Sequence, residues 1–154
     1  EDKRVKRLSL KYFAGFIDGE GTITIDKIVK KNKTNDYKSF KLSMGVTNTY
    51  LPIIDALHKQ YGGYLIKLQT SPKNCKPYKK VIWEGLHAVE LVKKLKPHLI
   101  IKQKQANLLI AYWKFRQVPH NNKRTLKYYT QELKFINKMR KLNRRGTYEV
   151  CRVS

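Results

Sequence analysis

Phe13-Ala14-Gly15-Phe16-Ile17-Asp18-Gly19-Glu20-Gly21 closes a short apolar helix with glycines and carboxylates in alternation. The C-terminal end of a helix carries partial negative charge, so acids there stand against the helix field. Two readings of Asp18-Gly19-Glu20-Gly21 follow. One is a helix stop and turn; the other is a cation site or a buried partner for the acids. Gly15 and Gly19 lie four apart on one helix face, with Ala14 and Asp18 beside them. Small residues at that spacing admit a second helix backbone, and the apolar run is too short to span a bilayer. If that second helix is the same one in another copy, a two-fold axis brings two Glu20 carboxylates together, where they can hold a divalent metal.

Working outward, the apolar spacing predicts a helix over Lys6 to Asp18, followed by a strand. Thr22-Ile23-Thr24-Ile25-Asp26 alternates, with Ile23 and Ile25 inward and Thr22, Thr24 and Asp26 outward. A polar loop is expected from Lys30 to Asp36. Tyr37 to Thr47 reads as a second strand, with Phe40, Leu42, Met44 and Val46 inward and Ser39, Lys41, Ser43 and Gly45 outward. Thr49 is placed to cap a helix with Pro52 near its first turn. That helix runs to Tyr61 and stops at Gly62-Gly63. Tyr64 to Gln69 and Tyr78 to Trp83 predict a second hairpin, whose expected wet face is Lys67, Gln69, Tyr78 and Lys80. Helices follow over Leu86 to Leu95, Lys102 to Arg116 and Arg124 to Asn143, the last with Tyr128, Leu133, Ile136 and Met139 inward.

The order is helix, hairpin, helix, hairpin, then helices. It predicts an α+β fold in which four antiparallel strands lie under helices. No linker divides the 154 residues, so a single domain is expected over 1–154. Its core covers about 6–116, with a basic helical extension over about 124–154.

The charge balance is extreme: 34 Lys and Arg against 11 Asp and Glu, a net of +23. A polyanion is the leading partner, because phosphate contacts supply most of the electrostatic affinity for nucleic acid. Charge alone also fits a ribosomal RNA-binding protein. No signal peptide, lipidation motif or long apolar span is visible, so an intracellular protein that is not secreted, with no membrane partner, is expected. The two cysteines, Cys75 and Cys151, form no metal-binding spacing. The first residue is Glu rather than Met, which suggests a processed start.

The nine-residue stretch resembles the signature of the LAGLIDADG homing endonucleases. It matches at Ala14, Gly15, Ile17, Asp18 and Gly21, with conservative changes at Phe13, Phe16 and Glu20. The order of elements and the run Lys102-Gln103-Lys104-Gln105-Ala106-Asn107 are similar to the single-motif branch of that family. The resemblance spans most of positions 8–116. It implies an αββαββα core with a saddle-shaped sheet, and a homodimer joined through Ala14, Gly15, Asp18 and Gly19.

It further implies hydrolysis of both strands of a long, near-palindromic DNA site, leaving short 3′ overhangs. The cofactor implied is magnesium, about two or three ions per dimeric active centre, held by Glu20 and the carbonyl of Gly19. Lys102 falls at the family's catalytic lysine. Asn48 stands where a polar side chain near the metal is expected, and Pro52 stands close to where some relatives carry an arginine. Strand faces can enter the major groove, so Thr22, Thr24, Asp26, Ser39, Lys41, Ser43, Lys67, Gln69, Tyr78 and Lys80 are the candidate DNA contacts. Asp26 is an acid on a phosphate-facing surface, and can accept from a cytosine amino group instead. A protein of the same fold that binds DNA or intron RNA without cutting is the alternative.

Overall fold

A computed structural model describes residues 7–31, 36–68, 76–117 and 125–144. The first helix, α1 (Leu10–Glu20), begins later and ends later than the apolar spacing predicts. Ser9 sets its start: the hydroxyl accepts the Tyr12 N–H at 3.2 Å, the geometry of an N-cap. At the other end Gly19 stays helical, which leaves Glu20 as the last helical residue. Gly21 makes the exit. A Cβ there would lie 2.8 Å from the Ile17 backbone, so only glycine lets the chain double back this closely.

The chain then forms β1 (Gly21–Lys31) and β2 (Asp36–Asn48), α2 (Leu51–Tyr61), and β3 (Tyr64–Leu68) and β4 (Tyr78–Glu84). It continues through α3 (Gly85–Leu95), a short turn of 3-10 helix at Lys96–His98, α4 (Gln103–Gln117) and α5 (Leu126–Asn143). The four strands form one antiparallel sheet in the order β1-β2-β4-β3. Both first strands extend into the stretch expected as a loop from Lys30 to Asp36. Thr49 is not the cap of α2. The N-cap is Tyr50, whose N–H is taken at 2.7 Å by the Asn48 carboxamide oxygen. Gly62 and Gly63, at φ 66° and 95°, end that helix as the paired glycines predict.

Helices cover one face of the sheet: α1, α2 and α3 pack on β2 or β4, and α4 and α5 pack on β1. Period-two alternation turns Ile23, Ile25, Phe40, Leu42, Met44, Val46, Val81 and Trp83 under them, and all are buried. The centre is aromatic. Phe13 stacks on Tyr61 with ring centroids 4.7 Å apart, Trp83 tilts against Phe13, and the Trp83 indole N–H donates to the Tyr61 carbonyl at 3.0 Å. This knot fixes α1 against the sheet.

On α5 the inward face differs by one position from the expected set. Leu133 is 48 % exposed, while Glu132 is 2 % exposed and accepts from the Tyr112 hydroxyl at 2.6 Å. Tyr128, Ile136 and Met139 are buried as expected. The acid belongs to the face that meets α4, and the aromatic partner on α4 offsets its burial.

Candidate active site and nucleic-acid interface

Among the described residues no helix covers the sheet's other face, and a trough of about 320 Å³ runs along it. Cross-strand register orders its floor. Thr22, Gly45, Ile82 and Tyr64 form one row across the four strands; Thr24, Ser43 and Glu84 form the next; Asp26 and Lys41 form a third. Thr47 and Lys80 form the row at the other end, where Glu20 enters from α1. Thr22, Thr24, Asp26, Lys41, Ser43 and Lys80 therefore share one surface with Glu20, as the alternation predicts.

Several of these side chains are tied to one another. Asp26 accepts from Ser43 at 3.0 Å and from Thr24 at 3.3 Å, and Lys41 forms an ion pair with Glu84. Ser43 is buried in this arrangement rather than fully wet. Lys80 points into the trough with no ion pair among the described residues.

Three expected contacts stand differently. Lys67 pairs with Lys79 and shares the face of Leu65 and Val81, the helix side, because a strand changes face at every residue. Ile66 takes the outward place opposite Lys80. Tyr78 is on the outward face as expected, while Gln69 and the side chain of Ser39 lie outside the described residues. Lys79 itself turns toward α2 and bonds both oxygens of Asp55 at 2.6 Å.

The two acids of the helix end separate cleanly. Glu20 is exposed and lines the head of the trough. Asp18 is 8 % exposed and faces its own chain: Oδ2 accepts the Ile100 N–H at 2.6 Å and Oδ1 accepts the Lys102 N–H at 2.9 Å. The Lys102 ammonium returns to the Asp18 carbonyl oxygen. Burial lowers the Lys102 pKa below the usual lysine value, and the negative charges of Asp18 and Glu20 oppose that fall. Lys102 thus stands within the field of Glu20 at the C-terminal end of α1. Asn48 is not part of the trough lining; Thr47 is, and the Asn48 carboxamide serves the entry to α2.

Of the four residues expected at a helix–helix contact, two are buried within this chain and two are exposed. Ala14 is fully buried and, with Asp18, belongs to the chain's own core. The outward face of α1 carries Tyr12, Gly15, Phe16 and Gly19. A Cβ added at Gly15 or Gly19 would meet nothing within 4 Å, so nothing described in this chain requires glycine at either place.

A carboxylate at a helix end and a lysine held close to it thus stand at one end of a polar, strand-floored trough. A family model described as LAGLIDADG endonuclease matches residues 13–119, and the chain belongs to that family. Its fold is similar to that of the homing endonuclease I-CvuI in complex with the I-CreI target, at a TM-score of 0.69 and 20 % identity over 90 % of this chain and 83 % of that one. It is also similar to an archaeal intron-encoded homing endonuclease complexed with DNA, at 0.68 and 14 % over 91 % and 87 %. The group I intron-encoded I-CeuI, complexed with DNA, gives 0.67 and 15 % over 97 % and 73 %. Comparison with curated protein sequences gives no match. Among the described residues no helix is long and apolar enough to cross a membrane.

Proposed function

We propose that this chain is a homing endonuclease that acts as a homodimer on a long, near-palindromic duplex and hydrolyses both strands with magnesium. The observation that carries this reading is the placement of Glu20 at the head of the polar trough, beside the half-buried Lys102. The glycines support the dimer. Each costs helix stability of roughly 0.5–1 kcal/mol relative to alanine, and the chain itself leaves the space above Gly15 and Gly19 open. A second α1 across a two-fold axis fits that notch and brings the two Glu20 residues together.

The donor set suits a hard divalent ion shared between subunits. Among the described residues no group of three or more His, Cys, Asp or Glu can hold a metal, so one chain supplies only part of a site. Glu20 and the Gly19 carbonyl would hold magnesium, with oxygens of the second copy and of the DNA completing the shell. Bound there, the ion supplies Lewis acidity toward the scissile phosphate and a more acidic attacking water.

The chain's own residues do the rest. Lys102, charged and fixed by Asp18, faces the negative charge that grows on the phosphate. Lys80, on the row that Glu20 enters, supplies the second basic group in place of the arginine absent near Pro52. Thr22, Thr24, Asp26 and Ser43 line the floor that meets base edges in the major groove. Each subunit reads about one helical turn, and the cut leaves short 3′ overhangs.

The test is cleavage of a randomised duplex library with and without magnesium, by the wild type and by Glu20→Gln. A magnesium-dependent double-strand cut at one long site, lost in the variant, is expected. Selective binding with no cut under any divalent ion would refute the nuclease reading.

A further inference from the structure

The outward face of the sheet at β3 and β4 departs from the chemistry of the trough lining on β1 and β2. Among the trough-lining residues of β1 and β2, the outward side chains of Thr22, Thr24, Asp26, Lys41, Ser43 and Thr47 are hydroxyls and charges. On β3 and β4 they include Tyr64, Ile66 and Ile82, with Tyr64 66 % and Ile66 37 % exposed. Tyr64 lies directly opposite Ile82, and Ile66 lies opposite Lys80. Ile82 has Gly45 as its neighbour on β2. A Cβ at position 45 would stand 3.6 Å from the Ile82 side chain, so any larger residue there would begin to fill the space beside it.

Apolar groups on a water-facing strand surface stand out where their neighbours are polar. Lys80 is on the same face, and the chain as a whole carries +23. A polyanion that also offers apolar atoms is therefore the matching partner. On the major-groove edge of duplex DNA, the one apolar group is the thymine C5-methyl.

We infer that Ile66, Ile82 and Tyr64 form a thymine-methyl reader, which biases the part of each half-site facing β3 and β4 toward A·T pairs with thymine turned to the protein. The inference rests on the proposed DNA-cutting role and adds the base identity that this part of the site selects. Lys80 holds the phosphate backbone alongside, while the isoleucines exclude water from the methyl.

Uracil tests it, because it pairs as thymine does and lacks only the C5-methyl. Wild-type protein would be used to select its target from a randomised duplex library. Each thymine of that target would then be replaced by uracil in turn, and equilibrium binding measured. Loss of one buried methyl is expected to weaken binding about four-fold at one or more positions per half-site. That loss should vanish in Ile66→Ser or Ile82→Ser. The uracil series needs only wild-type protein, so it stands even if a variant fails to fold. Equal binding of the thymine and fully uracil-substituted duplexes overturns the reader and leaves the endonuclease reading intact. A penalty that persists in both variants overturns it too. A library that yields no selected site overturns both.

Discussion

Asp18 holds Lys102 at two points: its carboxylate takes the lysine's backbone N–H at 2.9 Å, and its carbonyl oxygen takes the lysine's ammonium. The same carboxylate also takes the Ile100 N–H. The turn before α4 is therefore fastened to the end of α1 by one side chain. Asp18→Ala strips acceptors from two backbone donors, at roughly 2–4 kcal/mol in all. A urea midpoint that falls accordingly at constant slope is the expected outcome. An unmoved midpoint would show that the turn holds itself.

Burial lowers the Lys102 pKa, with Asp18 and Glu20 in opposition. The unfolded chain thus holds that proton more tightly than the folded one, and this group's contribution to stability rises as pH increases through its lowered pKa toward 10.5. Cleavage moves the other way. On the proposed role, Lys102 must be charged at the phosphate, so the rate should fall on the alkaline side at a lower pH than an ordinary lysine would give. Lys102→Arg, always charged, should push that fall to higher pH; an identical alkaline limb would remove the lysine from the chemistry.

Glu20→Gln should abolish cutting by several orders of magnitude and keep DNA binding. Its effect on folding should be small, within about 1 kcal/mol. The acid opposes its own helix dipole and is attracted by Lys102, and the two effects have opposite sign. Parallel measurement of cleavage, affinity and thermal melting checks all three; wild-type cutting by the variant would place the metal elsewhere.

Gly15→Val and Gly19→Val add a side chain where the chain offers open space. Each should leave the fold intact and weaken the dimer, seen as a shift toward monomer in sedimentation and a loss of double-strand cuts. Gly21→Ala, by contrast, should destabilise the fold itself, since its Cβ would overlap the Ile17 backbone. Unchanged dimerisation in both valine variants would put the subunit contact on another face.

Glu132→Ala leaves the Tyr112 hydroxyl buried without its carboxylate, at roughly 1–3 kcal/mol. The bond and burial together push the tyrosine above its usual pKa. Leu133→Gln, on the exposed side, should change stability by less than about 0.5 kcal/mol. Reversal of the two effects in chemical unfolding would contradict the orientation of α5.

The strands and their faces were legible wherever the alternation was strong, as at Ile23, Ile25, Leu42 and Met44. The weaker β3 misled, because Lys67 looks like a wet-face residue until its pairing with Lys79 is known. Glu132 and Leu133 exchanged places for a similar reason: helix periodicity gives an inward arc, and which of two adjacent residues falls inside it depends on the Tyr112 hydroxyl on α4. Glu20 was visible from the nine-residue stretch. The partners of Asp18 lie 82 and 84 residues away along the chain, and no local pattern reports contacts at that distance.

That separation has a consequence for synthesis. A nascent chain that has emerged only through β4 carries Glu20 but not Lys102, and its Asp18 has neither of its backbone donors. Closing so long a loop is a late event in folding. The proposed cutting centre would therefore be assembled only once the turn before α4 has left the ribosome and docked, which would make the intact fold a precondition for damage to DNA.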